Sequence, residues 1–315
     1  MSGSGDGGND FVLGIDLGGS KAALAVATLD ARQLASERLE YGAEAIDAAG
    51  VVDRALMLGL KMIETAIRKG RGNCRAVGIV CPGIVRDHGV CLAPSRPGWE
   101  NVQVLDRARS ILGIETVVAA NDVKAAALAE YERGSLRGAN PALYVNLGTG
   151  ISAALVVDGR VVGGAHQGAG EIGYMPSRAI EPSQSATSLL EERAGGGGIG
   201  RNVSRLLGRT VSAAQAFAAG EPAVKAYLEE VLYEIALAVV KMTLLVDPAR
   251  IAVGGGLMES GGVVFDALNE QLDRLPFRPD LVRAHFLTSA SLEGAVSLAL
   301  AQAGESRSKE TWVNA

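Results

Sequence analysis

The sequence predicts an α/β protein of two lobes, with mixed sheets and a cleft between the lobes. Short apolar runs typical of strands alternate with helical patterns along the chain. Glycine-rich turns follow three of the predicted strands, at residues 16–21, 148–150 and 254–256. The order of strand, glycine-rich turn and strand occurs near the N-terminus and starts again after residue 122, which indicates an internal duplication of the fold.

The first lobe is predicted to span residues 11–121, after a flexible leader over residues 1–10 that is rich in Gly, Ser and Asp. Apolar runs bounded by Gly and Pro predict its strands, and apolar residues at helical spacing predict its helix. The predicted elements are a hairpin of strands at 11–15 and 22–28, a helix over 49–69, and strands at 76–80 and 117–120.

The second lobe is predicted to span residues 122–290. Asn121 and Asp122 stand where the N-cap of its first helix belongs. The predicted elements are a helix over 123–132, strands at 142–147 and 152–157, a long helix over 224–245 and a strand at 250–253. A C-terminal helix over about 291–303 is predicted to pack back on the first lobe.

Composition favours a packed enzyme and excludes several other classes. A chain of 315 residues, 48% of them hydrophobic, can fill two cores without disulfides or metals. The formal net charge of −5 argues against a surface for nucleic acid or an anionic membrane, so we expect neither partner. The most apolar stretch, residues 235–246, contains Lys241 and is too short to span a bilayer.

The three cysteines, Cys74, Cys81 and Cys91, lack the spacing of a disulfide framework or a zinc site. We interpret them as the reduced thiols of a cytoplasmic protein. The leader has neither a basic region nor an apolar core, so it does not resemble a signal peptide.

The first glycine-rich turn places Asp16 next to Gly18 and Gly19, which have no side chains. Backbone N–H groups over residues 18–21 can cradle a phosphate, and Asp16 can hold Mg²⁺ directly or through water. Alone, this motif is more typical of a structural hairpin turn. Its recurrence at 148–150 and at 254–256, where an adenine ring could lie against bare backbone, favours a nucleotide site.

Two common nucleotide motifs are excluded. No GxxxxGK[ST] segment occurs, so there is no Walker phosphate loop. Gly195, Gly197 and Gly200 satisfy G-x-G-x-x-G, yet they follow a helical segment and not a strand. We therefore interpret them as a flexible loop or a helix boundary and not as a dinucleotide site.

Six short motifs occur in a fixed order along the chain. They are IDLGGSK at 15–21, PG at 82–83, ND at 121–122, LGTG at 147–150, GAGEIG at 168–173 and GGGL at 254–257. Together they resemble the ROK family of bacterial sugar kinases and related repressors. The resemblance implies a two-lobed actin-like ATPase fold, which is ribonuclease H-like, whose interlobe cleft holds ATP and Mg²⁺ beside a pyranose. It also implies a homodimer.

The resemblance assigns roles to individual residues. It implies that Asp122 is the catalytic base that takes the proton from the hydroxyl attacking the γ-phosphorus, although a residue at this place can equally cap a helix. The implied substrate-binding residues are Gly83, Ser95, Asn121, Asp122, Glu171, Tyr174 and Glu191. The implied nucleotide-binding residues are Gly18, Gly19, Ser20, Lys21, Gly148, Thr149, Gly150, Gly255 and Gly256.

Two positions depart from the family pattern. Many members bind a structural zinc through a His and a CxCGxxGC run, but here Tyr174 occupies the His position and no cysteine follows Cys91. We therefore expect no structural zinc. Ser95 stands where a sugar-contact loop of the family carries Asn. Because both positions contact the sugar in the family, ordinary glucose specificity is in doubt.

The sequence thus favours an ATP-dependent carbohydrate kinase acting on a primary hydroxyl of a hexose-like substrate. Glucose, an amino sugar such as kanosamine, and a C7-cyclitol are the candidates. A plain glucokinase and, from another class, a non-catalytic sugar-sensing regulator remain as alternatives. A repressor would need a DNA-binding module before the first strand, where only about ten residues stand. The helical context of Gly195, Gly197 and Gly200 argues against a nicotinamide oxidoreductase.

Overall fold

The structure is a computed structural model that describes residues 9–41, 47–86, 89–92, 98–177, 189–304 and 312–313. The chain divides into two compact units. The first unit comprises Met1–Glu132, Gly163–Gln167 and Ser289–Ala315, and the second comprises Arg133–Val162 and Gly168–Thr288. The unit boundary lies after Glu132, whereas the predicted lobe boundary lies before Asp122. The assignment of kinase lobes to residue ranges stays a prediction.

Strands and helices alternate along most of the described chain. The strands are β1 (Phe11–Leu17), β2 (Lys21–Thr28), β3 (Gln33–Glu40), β4 (Cys74–Cys81), β5 (Ile84–Arg86), β6 (Gly89–Leu92), β7 (Val117–Asn121), β8 (Ala142–Leu147), β9 (Ile151–Val157), β10 (Arg160–Val162), β11 (Arg250–Gly254), β12 (Asp280–Arg283) and β13 (Trp312–Val313). The helices are α1 (Ala48–Arg68), α2 (Val104–Leu112), α3 (Asp122–Arg133), α4 (Leu190–Ala194), α5 (Gly196–Leu207), α6 (Ala213–Phe217), α7 (Pro222–Val246), α8 (Val263–Leu272) and α9 (Ala290–Ala303).

The two units repeat one sheet topology. Strands of the first unit follow the order β3-β2-β1-β4-β7, and strands of the second follow β10-β9-β8-β11-β12. In each, an antiparallel hairpin continues into two parallel strands, β1 beside β4 and β7, and β8 beside β11 and β12. This shared order confirms the duplication predicted from the recurring glycine-rich turns, and the mixed α/β fold class is confirmed with it.

In the first unit, both faces of β1 are buried, because helices cover the sheet on two sides. Alternate residues such as Leu13 and Ile15 join the core that includes α1, whereas Val12 packs with Val296 of α9. α9 lies very close to the sheet: a Cβ at Gly78 would stand 2.0 Å from the carbonyl oxygen of Ala295. Glycine is required there, and the C-terminal helix packs on β1 and β4 of this unit.

In the second unit, one continuous apolar core joins the sheet to the helices α5, α7 and α8. α7 contributes buried residues on several turns, among them Leu228, Val231, Ile235 and Val239. Within the described part of the chain, no helix combines the length and the apolar character that crossing a membrane requires. The role of this core is to hold the ends of β8 and β11, where the glycine-rich turns begin.

Candidate active site

Three parallel strands of the first unit end side by side and carry the predicted chemistry at their carboxyl ends. The register pairs Asp16 of β1 with Val80 of β4, and the next residue of β4, Cys81, with Asn121 of β7. Burial raises the pKa of the Cys81 thiol, and the carboxylates of Asp122 and Asp16 raise it further. Asp16, Cys81 and Asp122 therefore form one polar cluster at this edge of the sheet.

Asn121 supplies the cap of α3. Its Oδ1 accepts from the backbone N–H groups of Val123 and Lys124, both at 3.0 Å, and its Nδ2 donates to the carbonyl of Gly83 at 2.7 Å. Asp122 is thus the first residue of the helix, where one carboxylate oxygen also lies 2.9 Å from the Val123 nitrogen. The helix start favours the ionised carboxylate, since its N–H groups carry partial positive charge.

Asp16 is partly buried at the end of β1. Burial raises the pKa of Asp16 to about 7, Asp122 adds to the rise, and Lys21 opposes it. Such a pair of carboxylates fits Mg²⁺, which takes one or two protein carboxylates and fills its other positions with water and phosphate oxygens. The described residues contain no cluster of three or more His, Cys, Asp or Glu side chains that could hold a metal unaided. Asp16, beside Asp122, therefore fits a cation that takes most of its ligands from water and phosphate.

We expect the metal-free protein to lose stability as the pH rises from about 4 to 7. The Asp16 proton leaves the unfolded chain near pH 3.8 and the folded chain near pH 7, so the folded state binds more protons in this window. Stability falls with rising pH under that condition, by roughly 4 kcal/mol at most. Urea unfolding with a chelator should show that Asp16→Asn gains more stability over wild type at about pH 8 than at about pH 5.

The matched control for this measurement is Asp106→Asn, since the Asp106 side chain on α2 is 74% exposed. We expect that variant to follow the wild-type pH dependence. An equal gain for Asp16→Asn at both pH values would contradict the raised pKa.

The turn between β1 and β2 leaves Gly19, Ser20 and Lys21 exposed. Tyr41, the residue after β3, holds this turn: its backbone N–H donates to the Ser20 carbonyl at 3.0 Å, and its hydroxyl donates to the carbonyls of Gly18 and Lys21. Tyr41 thus donates hydrogen bonds to three carbonyls of the turn, and the N–H groups of the exposed turn residues could bind an anion.

The glycine-rich turns of the second unit converge on one place. Gly255 has φ +91°, and a Cβ on it would lie 2.4 Å from the carbonyl carbon of Leu147. The N–H groups of Gly196 and Gly197, at the start of α5, donate to the carbonyls of Gly148 and Thr149 at 2.9 and 3.0 Å. The predicted nucleotide residues 148–150 and 255–256 therefore lie together, against the start of a helix.

The predicted substrate residues of the second unit lie beside that turn. Oε2 of Glu191 accepts from the N–H of Ile151 at 2.9 Å. Tyr174 is 48% exposed, and burial, Glu171 and Glu191 together raise the pKa of its hydroxyl. Glu171 and Glu191 are thus each close enough to Tyr174 to affect its hydroxyl, and Glu191 links this group to the glycine-rich turn.

Each predicted site residue thus belongs to one of these groups, except Ser95, which lies outside the described residues. Asp16, Gly83, Asn121 and Asp122 meet in the first unit. The roles of all these residues in binding and catalysis stay predictions.

Sequence reasoning missed two parts of the site. The helix boundary expected at these glycines is confirmed, since α5 begins at Gly196 with Gly195 as its N-cap. Their support of the 148–150 turn is the part that was missed, and the run of glycines opening a helix was the available signal. Lys124 is also new: it is 3% exposed and its Nζ donates to the carbonyl of Gln167 at 2.7 Å. A lysine at a buried position of the Ala-rich α3 was its signal.

Comparison with known proteins gives consistent results. The family profile described as "ROK family" matches residues 12–302. The chain is 31% identical over 313 residues to kanosamine kinase of Amycolatopsis mediterranei (strain S699), covering 95% of this chain and 99% of the relative.

Two solved structures share the fold along nearly the whole chain. The ROK hexokinase from Thermus thermophilus superposes with a TM-score of 0.74 at 25% identity, over 92% of this chain and 97% of that one. A ROK family glucokinase from Streptomyces griseus, in complex with glucose and AMPPNP, superposes with a TM-score of 0.73 at 25% identity, over 92% of this chain and 99% of that one.

Proposed function

The chain belongs to the ROK family, and on that premise we propose that it transfers the γ-phosphoryl group of ATP to a primary hydroxyl of a hexose-like substrate, with Asp122 as the base. It is an ATP-dependent carbohydrate kinase with an actin-like ATPase fold. The observation that carries the residue assignment is the convergence of Asp16, Cys81 and Asn121-Asp122 at the ends of three parallel strands.

Phosphoryl transfer requires positioning, charge neutralisation and one acceptor for the proton of the attacking hydroxyl. Asn121 fixes the start of α3 through three hydrogen bonds, so the carboxylate of Asp122 is held at a defined place. In this role Asp122 accepts the hydroxyl proton as the oxygen attacks phosphorus. Asp16 would hold Mg²⁺, directly or through water, and the bound ion would neutralise phosphate charge.

Backbone groups supply the nucleotide contacts in this proposal. In the first unit, the turn Gly18–Lys21 would offer N–H groups to phosphate. In the second unit, Thr149 and Gly150 would do so, since the Gly148 N–H already donates to the Gly150 carbonyl at 3.0 Å. Gly255 and Gly256 offer bare backbone to the adenine ring. The close approach of Gly255 to the backbone of Leu147 and Gly148 supports this reading, because it brings two of the glycine-rich turns together.

The proposed sugar contacts of the second unit are Glu171, Tyr174 and Glu191, and those of the first unit are the residues predicted from the sequence, Gly83, Ser95 and Asn121. Two carboxylates and a phenol can accept from hydroxyls or from an ammonium group of the substrate. This acidic character and the similarity to kanosamine kinase support an amino sugar or a cyclitol as the preferred substrate. The similarity to a glucose-bound glucokinase supports plain glucokinase activity as the second candidate.

We expect kcat/KM for an amino sugar or a C7-cyclitol to exceed that for glucose by at least about tenfold. The reason is that Ser95 and Tyr174 differ from the family pattern, so polar groups of the pocket would lack hydrogen-bond partners when glucose is bound. The measurement is a panel of glucose, mannose, kanosamine, N-acetylglucosamine and a C7-cyclitol with ATP and Mg²⁺. Glucose leading the panel by tenfold would instead establish the glucokinase. Failure to phosphorylate any member, with sugar binding retained, would favour the non-catalytic sensor.

Three further properties remain predictions. Metal analysis of the purified protein is expected to show no stoichiometric zinc. Light scattering is expected to show a homodimer. The cytoplasmic location inferred from the cysteines awaits a direct test.

A further inference from the structure

α7 presents a carboxylate to the helix that carries Glu191. Nε and Nη2 of Arg193 on α4 reach the two oxygens of Glu234 on α7, at 3.2 and 3.1 Å. The two side chains are only 17% and 11% exposed, so the pair is bidentate and largely removed from water. Glu230, one turn earlier on α7, is 52% exposed and accepts a single bond of 3.2 Å from Nη2.

Glu234 also contacts the segment that carries Glu171 and Tyr174. The hydroxyl of Ser177 donates to Oε2 of Glu234. Ser177 follows the 3-10 turn Ile172–Tyr174, which carries Tyr174 and begins directly after Glu171. Pro176 bridges to Leu189, and the N–H of Leu190 donates to the Met175 carbonyl at 2.8 Å.

Tyr227 of α7 completes the surroundings of Arg193. Its hydroxyl donates to the backbone carbonyl of Arg193 at 2.6 Å and accepts from the amide of Asn202 at 2.9 Å. The guanidinium carbon lies 5.8 Å from the centre of the Tyr227 ring, within the range of a cation–π contact. Both the side chain and the backbone of Arg193 are therefore tied to α7.

We propose that Glu234 and Arg193 are positioning residues for substrate binding: Glu234 holds Ser177 and Arg193, and so fixes both segments that carry Glu171, Tyr174 and Glu191. The inference rests on the proposed function, since it assumes that these three residues contact the sugar. Breaking a buried ion pair leaves an uncompensated charge, so the segments would shift and the carboxylates would lose their alignment. The 148–150 turn keeps its separate bonds to Gly196 and Gly197, so ATP binding should be affected little.

The decisive variant is Glu234→Gln, which keeps the shape of the side chain and removes its charge. We expect the KM for the sugar to rise about tenfold or more, with kcat and the KM for ATP within about threefold of wild type. Amide hydrogen exchange should accelerate in peptides covering residues 171–177 and 189–194. If that variant does not fold, Ser177→Ala removes a single bond; it should raise the sugar KM about threefold and accelerate exchange over 171–177 alone.

The control is Asp280→Asn, which breaks the 2.7 Å ion pair between Arg250 and Asp280 in the same unit. We expect it to leave both KM values unchanged. A lower melting temperature for Glu234→Gln with an unchanged sugar KM, or equal increases in both KM values, would overturn the positioning role. A wild-type protein that phosphorylates no sugar would refute the proposed function, and the exchange experiment would still decide whether Glu234 holds the two segments.

Discussion

Asp122→Asn should lower kcat by roughly 10²–10⁴-fold, the usual span for the loss of a general base. The amide has the same shape as the carboxylate but cannot accept the hydroxyl proton. Asn121 still supplies the cap of α3, so the helix and the fold should be retained. Steady-state kinetics with the best sugar of the panel, together with binding of an ATP analogue, measures the effect.

The same substitution should leave the metal-free protein at least as stable as wild type. The carboxylate of Asp122 raises the pKa of Asp16, so its removal relieves repulsion between two acids at neutral pH. Loss of activity with gain of stability is typical of a catalytic group. A variant that loses stability and activity together would point to a structural role for Asp122.

Asp53→Asn provides the comparison for activity. Asp53 forms an ion pair of 2.7 Å with Arg107 in the same unit, and its side chain is 40% exposed. We expect this variant to keep kcat within about twofold. Near-wild-type turnover of Asp122→Asn would show that another group takes the proton.

Features with a local signal were predictable from the sequence. The hairpin of β1 and β2 follows from two apolar runs around a glycine-rich turn, and the start of α3 follows from Asn121 and Asp122 after a strand. The strand β3 was missed because it lies at the edge of the sheet and most of its side chains are exposed, so it lacks an apolar run. The helix α2 was missed although Val104, Ala108 and Leu112 have helical spacing.

Contacts between segments distant in sequence could not be predicted in the same way. Arg193 and Glu234 are ordinary charged residues on helices, and only the packing of α4 on α7 makes them a buried pair. The support of the 148–150 turn by the start of α5 likewise depends on how two segments fold against each other. Candidate site residues that belong to a motif could therefore be predicted from the sequence, whereas the contacts that position them could not.

The duplicated sheet places different side chains at equivalent positions of the two units. β1 ends in Asp16-Leu17 before the turn residue Gly18, and β8 ends in Asn146-Leu147 before the turn residue Gly148. An acid in the first unit suits a cation, whereas the neutral amide in the second adds no negative charge beside a phosphate. In the proposed function, the first unit would therefore supply the base and the metal ligand, and the second would supply backbone contacts for the nucleotide.

Those backbone contacts lead to the second large effect, which is expected for Gly255→Ala. The residue has φ +91° and ψ 165°, a conformation that is essentially restricted to glycine and costs other residues roughly 1–3 kcal/mol. The added Cβ would also lie 2.4 Å from the carbonyl carbon and 2.5 Å from the carbonyl oxygen of Leu147. Backbone and not a flexible side chain would have to move, which displaces the turn Gly148–Gly150.

We therefore expect kcat/KM for ATP to fall about 100-fold in Gly255→Ala, since a shift of about an ångström in a positioning group costs that much. Gly220→Ala is the control in the same unit, because its added Cβ meets no atom within 4 Å and its φ is not in the left-handed range. That variant should stay within about twofold of wild type. The prediction would be wrong if Gly255→Ala bound an ATP analogue as tightly as wild type and melted at the same temperature. The close approach of Gly255 to Leu147 would then not determine the shape of the proposed nucleotide site.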